Sequence, residues 1–335
     1  MSAPNPDTDT RAQKQAIAEA LLASPPPLDA LPPGRVQVLT RSVVHASRSR
    51  PVVRWTVALD SGSGASTLLA VIGKGYRAGG GEQAWRLLRS LRQAGLDDAE
   101  LRVPAPYGFD PSRQLLAQEE APNTTLHSLL DGDPQSAAPE AGRAGRWLAR
   151  LHHVRGVYAP DLAADFERLK LAEYAEALAE LLPRSAARVA ELTAATVEEL
   201  ARADGPRVLT HGDFQPKNIH LDRYRLVVID FDRAAWAPAG RDLGHFIGQT
   251  LTMGAYRHGN LTAAVPWVDR FLEDYSAAGG DEGAVRSVPA YVARTFAEVL
   301  FYRLVVRPVR DSSFVPDWLD AWEGAVSAAA GGRSR

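Results

Sequence analysis

Two stretches of sequence, at residues 211–218 and 226–232, constrain this chain more than any other feature. The first reads HGDFQPKN and places Asp213 five residues before Asn218. The second, LVVIDFD, is apolar until Asp230, twelve residues after Asn218. A carboxylate and an amide on one short loop, followed by a carboxylate at the end of a strand, form the arrangement that phosphoryl transfer needs. The spacing therefore predicts a loop, a strand and a second loop that present three oxygen-bearing side chains.

The composition permits such an enzyme and excludes other classes. A formal charge of −2 provides no basic surface for nucleic acid or an anionic membrane. The sequence contains no cysteine, which excludes disulfides, thiolate nucleophiles and cysteine-ligated zinc. The first residues lack the pattern of a signal peptide, and no apolar stretch approaches the ~20 residues that span a bilayer. We therefore expect a cytoplasmic protein, a monomer or homodimer, with neither nucleic acid nor membrane as partner.

The periodicity along 335 residues predicts a small α+β lobe followed by a larger, mainly helical lobe. We expect a disordered start over residues 1–10 and three domains: a tail, helix and Pro-rich linker (1–34), a nucleotide-binding lobe (35–120), and a lobe with the catalytic loop, metal site and substrate pocket (121–335). In the small lobe we expect strands at 35–44, 52–59, 67–72 and 115–119, a turn at 60–66, and a helix ending near Gly95. In the large lobe we expect helices at 141–153, 161–182, 185–203, 243–252, 265–277, 289–306 and 316–330.

Asp213 is the candidate general base, because a carboxylate there can orient an attacking hydroxyl and take its proton late. Taken alone, Asp213 is better explained by a capping role before Phe214, but its ordered spacing with Asn218 and Asp230 favours catalysis. Asn218 and Asp230 are the candidate Mg²⁺ ligands, since magnesium prefers oxygen donors. Asp242 precedes a helical pattern, where it could cap the helix or brace the catalytic loop by accepting backbone hydrogen bonds.

Three neighbouring residues are candidates for supporting roles. Asp232 could join the metal site as a second carboxylate, pair with Arg233 or Arg241, or be solvated. We expect His211 to support the loop by hydrogen bonding. Lys217 could face the transferring phosphoryl group, where a cation offsets developing charge, or it could face solvent.

The small lobe supplies candidate nucleotide contacts. Lys74 ends an apolar strand, which is how an ammonium reaches nucleotide phosphates. Glu82 opens the next helix and could pair with Lys74. Ser47 lies in a glycine-poor turn after the first strand and could help to cover the phosphates. Gln118 and Glu119 lie at the expected hinge, where the backbone would meet an adenine edge.

The chain resembles the aminoglycoside phosphotransferase and choline kinase superfamily. The resemblance is carried by HGDFQPKNI at 211–219 and VVIDFD at 227–232, with support from RDLG at 241–244, ARLHH at 149–153 and IGKGYR at 72–77. It implies a two-lobed, protein-kinase-like fold and transfer of the γ-phosphoryl group of ATP, or GTP, to a small-molecule hydroxyl. Position by position, it implies Asp213 as base, Asn218 and Asp230 as Mg²⁺ ligands, Lys74 with Glu82 at the α- and β-phosphates, and Asp242 as the loop brace.

The acceptor stays open at this point: an amino alcohol, a sugar and an aminoglycoside-like molecule all fit. An acidic pocket for a polycation could use Asp269, Glu273, Asp274 and Glu298. An aromatic cage for a quaternary ammonium could use Trp236, Tyr256, Trp267, Tyr275, Trp318 and Trp322, although such spacing is more typical of a core.

Three other functions compete with the small-molecule kinase. The chain could be a catalytically silent, kinase-like nucleotide-binding protein. It could be a kinase acting on protein side chains, which the short segment between Asp232 and Asp242 disfavours. It could also be a metal-dependent hydrolase using His211, Asp213 and Asp230.

Overall fold

The computed structural model describes residues 6–60, 66–77, 79–203 and 205–331. The chain divides into two compact units, the first formed by Met1–Pro122 and Val227–Asp232 and the second by Asn123–Leu226 and Arg233–Arg335. The first is built mainly on β-sheet and the second mainly on helices, so the protein is α+β, as predicted. The sequence analysis had assigned residues 227–232 to the larger lobe, whereas the structure groups them with the first unit.

The first unit is organised around a five-stranded antiparallel sheet with the order β1-β2-β3-β6-β5. The expected hairpin pairs Asp60 with Ser66, and the rest of its predicted turn, residues 61–65, lies outside the described residues. Residues 1–5 of the segment expected to be disordered lie outside the described residues. For residues 6–10 the prediction is wrong, because a helix begins at Pro6. The elements are α1 (Pro6–Leu22), β1 (Arg35–His45), β2 (Val52–Asp60), β3 (Ser66–Gly75), α2 (Gly81–Gln93), β4 (Leu101–Arg102), β5 (Pro106–Asp110) and β6 (Leu115–Glu119).

Alternation along β2 builds the core of this sheet. Val53, Trp55 and Val57 point to one face and are fully buried, while the residues between them are partly exposed. A strand turns successive side chains to opposite faces, so this sequence pattern buries one face only. Helix α1 adds Ala18 and Leu22 to the same core. The N-terminal helix is therefore part of the first unit's core.

The same alternation places Lys74. Along β3, Val71 and Gly73 face the buried side, whereas Lys74 lies on the opposite, partly exposed face. Gly73 is required by close packing, because a Cβ atom there would lie 2.3 Å from the ring of Trp55. The Trp55 ring thus packs closely against the strand that positions Lys74.

The second unit contains eight helices in its described residues and four short strands, besides the strand Leu226–Val228 that it shares with the first unit. Seven of these helices match the predicted ones, most with shifted ends, and the short helix Leu126–Leu129 was not predicted. Helix α9 begins at Glu282, seven residues before the expected start at Pro289, because Asp281 caps it by accepting a hydrogen bond from Ala284 N at 2.8 Å. The elements are β7 (Thr124–Thr125), α3 (Leu126–Leu129), α4 (Pro134–His153), α5 (Phe166–Leu181), α6 (Ala186–Arg202), β8 (Arg207–Thr210), β9 (Ile219–Leu221), β10 (Leu226–Val228), β11 (Ala235–Pro238), α7 (Gly240–His258), α8 (Val265–Ala277), α9 (Glu282–Phe301) and α10 (Val315–Gly331).

Aromatic side chains fill the core of the second unit. Three of the six candidate cage residues, Trp267, Tyr275 and Trp322, are fully buried there, so they cannot line an open pocket. Helix α9 ends in a wider turn of five residues, Tyr302–Val306, which replaces the last predicted helical residues. Among the helices of the described residues, none has the length and apolar character needed to cross a bilayer.

Candidate active site

Lys74 lines a cavity of about 150 Å³ in the first unit. Strands β2 and β3 and helix α2 supply apolar side chains, and β6 and the segment after β10 supply polar groups. Of the residues predicted from the sequence, the cavity brings together Lys74, Gln118, Asp230 and Asp232.

Two aspartates hold the Lys74 ammonium. Its Nζ lies 2.6 Å from Asp230 Oδ1 and 2.8 Å from Asp232 Oδ2. Asp232 also pairs with Arg50 and accepts a hydrogen bond from the Tyr76 hydroxyl at 2.9 Å. Burial and the Asp232 charge raise the pKa of Tyr76 well above its usual value, which keeps the phenol protonated as a donor. The cluster therefore balances two carboxylates against two cations.

The partners of Asp232 differ from those considered from the sequence. Arg233 and Arg241, the candidate partners, pair instead with Glu298 and Glu167, at 3.7 and 2.8 Å. Arg50 comes from the loop after β1, 182 residues before Asp232 in the chain.

Asp230 has a backbone conformation that few residues adopt. Its φ angle is +70°, in the left-handed region that costs a residue with a Cβ atom about 1–3 kcal/mol. Strain of this kind persists where the surrounding structure fixes the backbone, and it is common at functional sites. The carboxylate is 40% exposed, so its oxygens remain accessible to a ligand.

The sequence analysis expected that Glu82 could pair with Lys74, but the structure pairs Glu82 with a different residue. Glu82 lies in the first turn of α2 and pairs with Arg86 at 2.6 Å, one turn along the same exposed face. Residues four apart on a helix are neighbours, so this local pair forms without tertiary constraint.

The remaining candidates of the first unit have structural contacts. Ser47 Oγ accepts a hydrogen bond from Arg50 N at 3.2 Å and so shapes the loop that carries Arg50. Glu119 pairs with Arg102 and accepts a hydrogen bond from Ala105 N at 3.1 Å. Its side chain therefore holds the strand ends together, and any nucleotide contact would come from its backbone, as the sequence analysis expected.

In the second unit, a buried aromatic residue anchors the loop at residues 211–218. Phe214 is fully buried and stacks on Trp147, with ring centroids 5.7 Å apart, and it also contacts Phe246 and Phe271. Because this ring is fixed in the core, the loop residues beside it are held in place.

Asp242 has the contacts that a loop brace requires. It is fully buried at the start of α7, and its carboxylate accepts hydrogen bonds from His211 N at 2.6 Å and Gly212 N at 2.9 Å. Burial alone would raise its pKa, but nearby His152, His211 and Arg241 lower it, so the carboxylate stays charged. The His211 imidazole is also fully buried and accepts a hydrogen bond from Asp213 N at 3.2 Å. Asp242 and His211 thus both support the loop by accepting backbone hydrogen bonds, as expected.

Three side chains position the Asp213 carboxylate. Gln215 Nε2 donates to Oδ1 at 2.8 Å, and Asn218 Nδ2 donates to Oδ2 at 3.1 Å. His245 Nε2 lies 3.0 Å from Oδ1. Burial would raise the pKa of Asp213, but the hydrogen bond and charge of His245 outweigh it and lower the pKa. The candidate base is thus a fixed, ionised carboxylate.

His245 joins Asp213 to a buried charge network that the sequence analysis missed. Its Nδ1 lies 3.3 Å from Glu298, which also pairs with the buried Arg294. Arg294 in turn lies 2.7 Å from Glu167. Burial would lower the pKa of His245, but the two carboxylates raise it above its usual value. One signal was available: His245 follows Asp242 by three residues, so one helical turn brings both to the same face.

The donor atoms present fit a magnesium ion. Because the amide nitrogen of Asn218 donates to Asp213, its oxygen is the polar atom that remains for a ligand. Asp230 contributes accessible carboxylate oxygens, and both are hard donors of the kind that Mg²⁺ takes. No three His, Asp or Glu side chains among the described residues form a metal cage. Each unit by itself thus offers one oxygen ligand of the kind that Mg²⁺ takes when nucleotide phosphates and water supply the rest.

Asp213 lines a second, larger cavity of about 610 Å³ that lies within the second unit. Lys217 and His245 also line it, together with side chains from α7, α9 and the segment that follows α9. Of the acceptor-site candidates, the structure places three here, namely Tyr256, Trp318 and Glu298. Asp274 is instead buried against Arg146 and Arg270.

Solved structures similar to this chain share its fold. A spectinomycin phosphotransferase in complex with ADP and spectinomycin aligns at 13% identity and a TM-score of 0.54, covering 89% of this chain and 94% of its own. A choline/ethanolamine kinase family protein from Mesorhizobium loti aligns at 17% identity and 0.56, covering 95% of each chain. An amicoumacin kinase in complex with AMP-PNP, Ca²⁺ and Ami aligns at 15% identity and a TM-score of 0.59, covering 97% of this chain and 96% of its own.

The comparison with curated proteins finds no match. A family model does match: the phosphotransferase enzyme family, APH, aligns with residues 56–289, more than two thirds of the chain. The match includes the loop at 211–218, the Asp230 strand end and Asp242, and it extends from β2 into α9. The protein therefore has a protein-kinase-like fold and belongs to the APH phosphotransferase enzyme family.

Proposed function

We propose that this protein is a magnesium-dependent small-molecule kinase that moves the γ-phosphoryl group of ATP, or GTP, to a hydroxyl group. The observation that carries the proposal is the Asp213 carboxylate, ionised and held by three hydrogen bonds in the wall of a cavity of about 610 Å³. Similar structures contain ADP or AMP-PNP, which supports a nucleotide as the phosphoryl donor.

The reaction follows from the chemistry of these groups. An acceptor hydroxyl in the large cavity donates a hydrogen bond to Asp213, and its oxygen attacks the γ-phosphorus. The bond from that phosphorus to the bridging oxygen of the nucleotide breaks, ADP leaves, and the hydroxyl proton passes to Asp213. A low pKa suits this role, because the transition state is loose and the proton moves late.

The other candidate residues bind the nucleotide. Lys74 would contact the α- and β-phosphates, with Gln118 and the backbone around Glu119 near the base, and Ser47 near the phosphates. Asn218 and Asp230 would hold Mg²⁺, which when bound offsets the phosphate charge. Asp242 and His211 would keep the loop in place, and Lys217 would face the transferring group. The need for ATP favours a cytoplasmic location.

The test is an assay of ADP release and phosphorylated product over amino alcohols, sugars and aminoglycosides. Asp213→Asn, which keeps the size of the side chain but removes its charge, should lower kcat by at least ~100-fold. Asp269→Asn, on the exposed face of α8, is the matched control and should leave kcat unchanged. Equal rates in the two variants would remove Asp213 from its role. Tight nucleotide binding with no transfer to any acceptor would favour a silent nucleotide-binding protein.

A further inference from the structure

The charge of the large cavity is positive. Its walls carry five cationic side chains and two carboxylates, and its two histidines add to the positive side when protonated. The cations are Lys217, Arg233, Arg257, Arg303 and Arg307, and the carboxylates are Asp213 and Glu298.

Both carboxylates already have cationic partners. Asp213 is bonded to His245, and Glu298 to His245 and Arg294. Arg294 lowers the pKa of Glu298 well below its usual value, against the effect of burial. Neither carboxylate is therefore an unpaired negative charge for an ammonium group of an acceptor.

Several of the cations, in contrast, lack a carboxylate partner. Among the described residues, no carboxylate lies within ion-pair distance of Lys217, Arg303 or Arg307. Arg303 lies over aromatic rings, with its guanidinium 4.8 Å from the centroid of Tyr256 and 5.4 Å from that of Trp318. Its Nε is buried and makes no hydrogen bond to the described protein atoms. The rings fix this cation without neutralising it.

The effect of this positive field is visible on a neighbouring group. Burial, together with the nearby charges of Arg257 and Lys217, lowers the pKa of His127 to about 4. Asp131 on the outer surface pairs with Arg257 but does not line the cavity. The crowding of like charges costs free energy that a bound anion would offset.

We infer that the acceptor of the phosphoryl group is a small organic anion, a hydroxyl compound that carries a carboxylate or phosphate group. This inference rests on the proposed function, because it assigns the hydroxyl to Asp213 and the anionic group to Arg303 and Arg307. The aromatic side chains of Tyr256 and Trp318 contact the carbon frame between them. A polycationic aminoglycoside or a quaternary ammonium would meet an excess of positive charge and no free carboxylate among the described residues that line the cavity.

The test compares related hydroxyl compounds that are uncharged, cationic or anionic. Glucose, glucosamine, gluconate and glucose 6-phosphate form one series, and glycerol, serinol, glycerate and glycerol 3-phosphate form a second. Binding to the full-length protein is measured by calorimetry, with and without saturating AMP-PNP and Mg²⁺, and phosphoryl transfer is measured separately. Within each series we expect a carboxylate or phosphate member to bind at least tenfold more tightly than the uncharged and amino members, and more weakly at high salt.

Arg307→Gln provides the matching variant, because Arg307 is exposed and follows the last turn of α9. It should raise the Kd, and the KM if transfer occurs, for the anionic member roughly tenfold, with little effect on the uncharged member. Arg310→Gln, an exposed arginine three residues further on that does not line the cavity, is the control and should change neither.

Separate outcomes decide the two proposals. Preferential anion binding without phosphoryl transfer would support the anion site and contradict the kinase proposal. Preference for the amino or uncharged members, equal behaviour of the two arginine variants, or no binding of any anionic probe would overturn the inference. Displacement of the anion by AMP-PNP would also overturn it, since the arginines would then bind the nucleotide phosphates.

Discussion

His245 contacts Asp213 through one ring nitrogen and Glu298 through the other, at 3.0 and 3.3 Å. An imidazole that meets two carboxylates is most stable when both of its nitrogens carry protons, which is why its pKa is raised. In that form His245 fixes the orientation of the proposed base from a buried position on α7. It is a positioning residue for Asp213, and its effect on the reaction would pass through that carboxylate.

Replacement of this histidine should slow the chemical step. His245→Gln removes the contact that joins Asp213 and Glu298, because the glutamine side chain can meet at most one of the two carboxylates. A hydrogen bond to a charged group contributes about 1.5–3 kcal/mol, so kcat should fall by roughly 10- to 100-fold while the KM for ATP changes little. Steady-state kinetics checks this, with circular dichroism as a check of folding. A wild-type kcat in the folded variant would contradict the positioning role.

The same contact predicts a dependence of stability on pH. Because the pKa of His245 is raised in the folded protein, its contribution is fully present below its ordinary value of 6.5 and is lost as the pH rises through the raised value. The lowered pKa values of Asp213 and Glu298 act in the opposite direction, since their contribution is lost only in acid. The difference in Tm between wild type and His245→Gln should therefore be larger at about pH 6 than at about pH 9. A difference that grows with pH would refute this assignment.

The sequence analysis paired Lys74 with Glu82, but in the structure Lys74 pairs with Asp230 and Asp232. Substitutions of Lys74 and Glu82 should therefore have different effects. Lys74→Met should weaken ATP binding roughly tenfold or more, because it removes the ammonium proposed to contact the phosphates. Glu82→Gln should leave the Kd for ATP within about twofold, since Glu82 pairs with exposed Arg86 rather than with Lys74. Fluorescence titration of both variants with a nucleotide analogue measures the two effects. A large loss in Glu82→Gln would show that the helix rearranges to bring Glu82 to Lys74 when nucleotide binds.

The loop brace makes a prediction about stability. Asp242→Asn keeps the shape of the side chain but leaves one acceptor oxygen for the two backbone donors, His211 N and Gly212 N. Leaving a buried donor unsatisfied costs about 1–3 kcal/mol, and loss of the charge removes the attraction to His152. Urea denaturation should show a loss in this range or above it. Asp269→Asn, which is exposed, is the control, and similar midpoints for the two variants would contradict the brace.

The local features of this protein were predictable because each depends on neighbours in sequence. Strand alternation located β1, β2, β3 and β6, and helical periodicity located most of the helices. The candidate loop was identified from the ordered spacing of Asp213, Asn218 and Asp230. The Glu82 pairing was wrong because helix geometry favoured Arg86, a neighbour four residues away, over a partner across the unit.

Contacts between distant parts of the chain could not be predicted. Arg50 and Asp232 are 182 residues apart, and Glu298 lies 85 residues beyond Asp213, so only tertiary packing brings each pair together. Periodicity shows which face of a helix is buried but not what that face meets. The cationic character of the large cavity is a similar case, because its charges come from the loop before β9, the end of α7 and the turn after α9.

Gly73 provides a test of how the fold delivers Lys74. Gly73→Ala adds a methyl group whose carbon would lie 2.3 Å from the Trp55 ring, so the ring or the strand must shift. Overpacking of this kind costs typically ~1–3 kcal/mol, and the shift would also move Lys74 next to it, so Tm and ATP affinity should fall together. Gly324→Ala in α10 is the matched control, because a Cβ there meets nothing within 4 Å. That change should raise stability by up to about 1 kcal/mol through helix propensity. If Gly73→Ala were as stable as wild type and bound ATP equally well, close packing of Trp55 against β3 would not be what positions Lys74.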